Sequence, residues 1–333
     1  MTTDQSKYEW REGWAALPNG PAVTAGWAHH GVAVLSDGTV VAFHPGESTL
    51  LVFDDAGELK REVPIDAIEA HGITAVIEGG EDRLWVADNG VKVHKHPGQD
   101  LNVDVREGGG RVVQVNLDGA VTRELERPPV PDYAEGGYAP TAVAVDEERL
   151  GGSGDIWVAD GYGKSLVHRF DCEGRYVATL NGDEGGGRFN CPHSVFIDRR
   201  REEPELYVTD RGNARIQVFG LDATFRRVVG DGVLNSPSAL ATSGSLLVVA
   251  ELNARLTLLD ADDELVTIVG EDADALARPG WPNALGEDGK PIPPALTEGR
   301  FNSPHGLAVD ASGNLYVAEW LLGGRHVRLA PTE

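Results

Sequence analysis

The stretch Pro192-His193-Ser194-Val195-Phe196-Ile197-Asp198, followed by Leu206-Tyr207-Val208-Thr209-Asp210-Arg211 and then Arg215-Ile216-Gln217-Val218-Phe219, decides the fold. Each segment holds an apolar run of strand length, rich in β-branched and aromatic residues and bounded by turn formers, which is how a buried strand reads. Phe225–Val229 supplies a fourth run. Four short strands in about 40–45 residues make one blade of a propeller, provided that the unit repeats.

The unit occurs six times. Leading strands start at His30, His71, Thr141, His193, Ser238 and His305, and second strands lie at Val40–Phe43, Leu84–Ala87, Ile156–Ala159, Leu206–Thr209, Leu246–Ala250 and Leu315–Ala318. The starts are 41, 70, 52, 45 and 67 residues apart, so the two long intervals mark insertions at 93–110 and 271–301. The second insertion is dense in Gly and Pro (Arg278-Pro279-Gly280-Trp281-Pro282-Asn283), as an irregular loop is. The sixth unit reaches the end of the chain after its third strand, Arg325–Leu329, while Tyr8–Trp14 precedes the first unit without a partner. The sequence therefore predicts an all-β fold. It is a six-bladed β-propeller of four-stranded antiparallel blades, a single domain over 1–333, with the N-terminal strand completing the last blade and removing the open edge.

Composition narrows the partners. With 29 basic against 53 acidic residues the net charge is −24, a poor match for nucleic acid or an anionic membrane surface. No apolar run approaches the ~18–20 residues of a membrane helix. The N-terminal Met1–Trp10 segment lacks the basic and apolar regions of a secretory signal, so a cytoplasmic location is expected. Cys172 and Cys191 are too few for a disulfide framework. A small-molecule substrate is the expected partner, with neither nucleic acid nor membrane.

Three histidines, His71, His193 and His305, open the leading strands of alternate units. In a six-fold ring, alternate units lie about 120° apart, so three imidazoles at one register converge on the axis. Three neutral imidazoles with an open position suit zinc, or another borderline divalent metal such as iron or manganese. His30 holds the same register in the first unit and is a candidate additional ligand or substrate-binding group. Its neighbour His29 should point to the opposite face of the strand.

The repeats resemble NHL repeats in segments such as Pro304-His305-Gly306-Leu307-Ala308-Val309-Asp310 and Asn213-Ala214-Arg215-Ile216-Gln217-Val218-Phe219. Along most of its length, and most densely in Asp160-Gly161-Tyr162, Pro192-His193-Ser194 and Asp210-Arg211, the chain is similar to peptidyl-α-hydroxyglycine α-amidating lyases. The resemblance implies that His71, His193 and His305 bind zinc, that Tyr162 is a catalytic base and that Arg211 is a catalytic arginine. A phenol needs a nearby dication to become a competent base, and a guanidinium can grip a carboxylate bidentately. Two positions depart from the pattern. Pro45 in Phe43-His44-Pro45-Gly46 replaces a second arginine, and Gly306 replaces an aspartate that binds structural calcium.

The expected function is a metal-dependent lyase on a small hydroxylated or carbonyl-bearing substrate, with an altered substrate site. A metal-dependent hydrolase at the same site and a non-catalytic protein-binding NHL scaffold are the alternatives. Further candidates for metal or substrate contact are Glu251 and Glu319, Lys164 just after Tyr162, and Trp281 as a lid. Asp88, Asp160 and Asp210 follow second strands and are expected to cap hairpin backbone groups or to pair with the arginine of the third strand.

Overall fold

A computed structural model describes residues 7–96 and 99–332. Six four-stranded antiparallel sheets form the blades, with the strand starting each blade innermost. The inner strands are Val32–Val34, Ala70–Glu78, Ala142–Val145, Pro192–Asp198, Pro237–Ser243 and Pro304–Val309, for blades one to six in that order. Tyr8–Arg11 pairs antiparallel with Arg325–Pro331 and is the fourth strand of blade six, so the ring closes as the sequence predicts. One five-residue α-helix, Pro21–Ala25, precedes blade one. Among the described residues no helix is long and apolar enough to cross a membrane.

The second strands read as continuous apolar runs because both of their faces are covered. In blade three, Trp157 and Ala159 pack toward blade four, while Ile156 and Val158 pack toward blade two. One apolar cluster fills each interface between blades. The last joins Val40, Ala42 and Phe53 of blade one to Tyr316 and Ala318 of blade six, capped by Trp14. This burial is the main driving force holding the ring shut.

The acids that end the second strands share one task. Asp88 accepts from the Ile68 and Glu69 amides, Asp160 from Ala139 and Lys164, and Asp210 from Asn190. Glu251 accepts from the Asn235 and Ser236 amides and pairs with Arg255; Glu319 accepts from Asn302 and Ser303 and pairs with Arg325. Each carboxylate thus satisfies backbone donors in the loop that enters its own blade, groups that burial would otherwise leave unpaired.

Both insertions carry structure of their own. The first forms a hairpin, Val91–His94 with Asn102–Val105; the second holds a short hairpin, Ala284–Leu285 with Pro291–Ile292. Residues 25–30, entering blade one, run between the first hairpin and the loop joining the second and third strands of blade six. Trp27 donates its amide to the Val93 carbonyl at 3.1 Å, and Ala28 donates to Leu321 at 3.0 Å. This strap fits because Gly26 has no side chain: a Cβ there would lie 2.3 Å from the Pro45 carbonyl carbon.

Candidate metal centre and active site

A β-bulge aims the histidines. In blades two, four and six the inner strand shifts register between Ala70 and Gly72, Pro192 and Val195, and Pro304 and Gly306, as blade five does between Pro237 and Ala239, around Ser238. The extra residue turns His71, His193 and His305 out of the pleat toward the axis, a common use of bulges near functional sites. All three are buried, 2–3% exposed. Each ring is then locked from behind. The His71 Nδ1 lies 2.7 Å from the Thr141 carbonyl, the His193 Nδ1 2.7 Å from Ser238, and the His305 Nδ1 3.2 Å from His30. A carbonyl can only accept, so every Nδ1 carries the proton and every Nε2 presents a lone pair.

The lone pairs converge. His71 and His305 Nε2 are 3.1 Å apart, and one ring nitrogen from each of His29, His71, His193 and His305 lies within 4.8 Å of the others. The Tyr162 hydroxyl sits 2.9 Å from His29 Nε2, 3.1 Å from His193 Nε2 and 3.3 Å from His71 Nε2. Its single proton can serve only one of them. The remaining lone pairs face each other, an arrangement that a cation at their centre relieves. Metal–nitrogen bonds of ~2.0–2.1 Å place tetrahedral ligands about 3.3 Å apart, close to the 3.1 Å between His71 and His305. The donor set therefore fits a borderline divalent metal and is able to hold one.

Electrostatics agree with the geometry. Burial lowers the His71 pKa from its ordinary value to about 3 and pushes His193 and His305 well down, with the Arg211 cation adding to the effect. Neutral imidazoles are the form that binds metal. Burial pushes the Tyr162 phenol up to about 12, opposed by Arg211. Arg211 donates from Nη1 to the Tyr162 hydroxyl at 3.3 Å and from Nη2 to Cys191 Sγ at 3.2 Å, and its guanidinium lies 5.3 Å from the Tyr162 ring centroid. Among the described residues it has no carboxylate partner, so the site holds a cation prepared for an incoming anion or carbonyl.

The other candidates lie elsewhere. His30 turns away from the axis: its Nε2 is 3.1 Å from His326 Nε2, between blades one and six. Its neighbour His29 reaches the cluster instead. The pleat argument fails because blade one has no strand before Val32, and His29 belongs to the irregular strap. Glu251 and Glu319 are tied up as loop caps. The exposed Lys164 borders a side cavity with Val130, Asp132 and Thr179, outside the cluster. Trp281 is no lid. Its indole donates to the Asn302 carbonyl and packs edge-on against Trp320, which in turn lies 5.7 Å from the His29 ring.

The sequence reading also missed Cys191, Trp320 and a buried pair formed by Glu69 and Lys92, 2.8 Å apart. Burial raises Glu69 to about 7, against the pull of Lys92. Lys92 lies on the first strand of the first hairpin, Val91–His94, donates to the His44 carbonyl at 3.3 Å and lies 5.1 Å from the Phe43 ring centroid. It thus brings a cation to the segment where Pro45 replaces an arginine. Below the histidines a channel of about 520 Å³ runs along the inner strands, walled by residues such as Val32, Ile73, Val143 and Leu307. Gly306 abuts the neighbouring blade there: a Cβ would lie 2.9 Å from the His30 carbonyl oxygen. A carboxylate does not fit at that point, so this structure does not accommodate the calcium ligand set of the lyase pattern.

An NHL-repeat family model matches residues 301–326, the inner half of blade six. The chain is a six-bladed propeller whose sixth blade matches an NHL repeat. It is 29% identical over 222 residues to human NHL repeat-containing protein 3, covering 64% of this chain and 58% of that protein. Its match to a Caenorhabditis elegans protein named as a probable peptidyl-alpha-hydroxyglycine alpha-amidating lyase is 25% over 183 residues, 54% of this chain and 46% of that protein. The chain thus spans about half the length of these relatives and is distantly related to the amidating lyases. Among solved structures, a streptogramin B lyase superposes with a TM-score of 0.58 at 12% identity, over 99% of this chain and 100% of that one, which shows the shared fold.

Proposed function

We propose that this propeller is a metal-dependent lyase acting on a small hydroxylated or carbonyl-bearing substrate at the histidine end of the channel. One observation carries the reading: lone pairs of locked, neutral imidazoles face one another beside a tyrosine hydroxyl and an arginine without an acid partner. The distant kinship with amidating lyases supports the reaction class.

His71, His193 and His305 would hold the metal. A bound divalent ion supplies Lewis acidity toward a substrate oxygen and stabilises a neighbouring phenolate. Arg211 orients the substrate through a carboxylate or carbonyl. Tyr162 Oη takes the proton from the substrate hydroxyl while the C–N or C–O bond at the same carbon breaks. The hydroxyl oxygen becomes a carbonyl, and the leaving group departs with the bonding pair and is protonated.

The test uses N-acyl-α-hydroxyglycines and simpler α-hydroxylated amides as first substrates. Tyr162→Phe is expected to keep its metal and lose activity by about 10²–10⁴-fold, the usual worth of a general base. Turnover in Tyr162→Phe equal to wild type would sink the lyase mechanism and favour a hydrolase that activates water. Turnover of none of these compounds by metal-loaded protein would favour the scaffold.

A further inference from the structure

Four imidazoles share the centre, but they are not held alike. His71, His193 and His305 come from bulged strands, are buried, and cannot turn without losing the bond from Nδ1 to a carbonyl of the adjacent blade. His29 comes from the strap and is partly open to solvent. Its single hydrogen bond runs from Nε2 to the Tyr162 hydroxyl, and its Nδ1 has no carbonyl partner among the described residues. Bonds of this kind fix a ligand's tautomer and ring orientation; His29 is positioned instead by ring contacts to His71 and His305 at 4.6 Å and Trp320 at 5.7 Å.

We infer that His29 is an exchangeable fourth ligand, which completes the metal's coordination in the resting protein and yields its place to a small oxygen or anionic donor. The inference rests on the metal reading above. The strap's backbone stays in place, tied to Val93 on one side and Leu321 on the other, so the exchange is a side-chain rotation. Its direction follows from the layout. His29, Tyr162 and Arg211 are all partly exposed, whereas the other three histidines close the top of the channel. An anion entering here meets the unpaired Arg211 guanidinium first.

X-ray absorption at the zinc edge counts imidazoles directly. Zinc-loaded wild type is expected to show four, and His29→Ala three plus an oxygen, at unchanged stoichiometry; His29→Gln serves as a folded control of similar bulk. In cobalt-loaded protein, azide titrated against the visible spectrum must displace His29. It should bind His29→Ala more tightly by about tenfold or more, because occupation of the site by His29 scales down the apparent affinity. Three imidazoles in wild type, or equal azide affinities, would overturn the inference while leaving the metal centre standing. Loss of metal in both His29 variants would make His29 an anchor like the others and also overturn it. Wild-type protein that takes up no metal would overturn both readings.

Discussion

Blades two, four and six share a strand plan with blades one, three and five, yet the residue heading the inner strand acts differently in the two sets. In the even blades it is a histidine whose side chain reaches the axis. In the odd blades it is His30, Thr141 or Ser238, and its carbonyl reaches back to lock the histidine of the preceding blade. The side chains of Thr141 and Ser238 bond instead to the carbonyls of Pro192 and Pro304 in the following blade. The six-fold ring is thus a three-fold device, with axial histidine and lock alternating. One set needs a particular side chain, and the other needs mainly a backbone.

That contrast can be broken by substitution at one register. His193→Ala should cost the protein its bound metal and with it all metal-dependent activity, read by metal analysis after dialysis. Ser238→Ala, one blade on, should keep the metal and lower stability by about 1 kcal/mol, the net worth of a buried hydroxyl bond. Equal metal loss in the two variants would break the distinction. Between these extremes stands Trp157→Ala at the interface of blades three and four. It should destabilise by about 3–5 kcal/mol in denaturant unfolding while the folded fraction keeps its metal.

Acid sharpens a different side of the comparison. His168 and His326 lie outside the centre, and burial holds them at about 3 and about 4 against an ordinary 6.5. Because their folded values are depressed, the unfolded chain takes up protons first. The stability they contribute is present above pH 6.5 and is lost as pH falls toward 4 and then 3. The urea midpoint should therefore drop as pH is lowered below 6.5, and His168→Gln should flatten that drop.

The six blades were legible because the period, the apolar second strands and the turn residues recur. His71, His193 and His305 could be placed together because register is a property of the repeat. The same logic failed where the chain leaves the repeat. His30 holds the right register in blade one, but that blade has no bulge to turn its side chain inward, and the neighbouring strap delivers His29 instead. Glu251 and Glu319 looked long enough to reach the axis, yet they occupy the slot of Asp88 and Asp210 and serve the same backbone amides. Lys92 and Trp320 were invisible because a hairpin outside the blade plan and a loop, not a repeat position, bring them near the site.

The most direct test is the metal content of the wild-type protein, measured by mass spectrometry after loading with zinc, iron(II) or manganese and exhaustive dialysis. Four converging imidazoles predict about one tightly held divalent ion per chain, with none retained by His71→Ala. A wild-type chain that retains no more metal than His71→Ala would contradict the account.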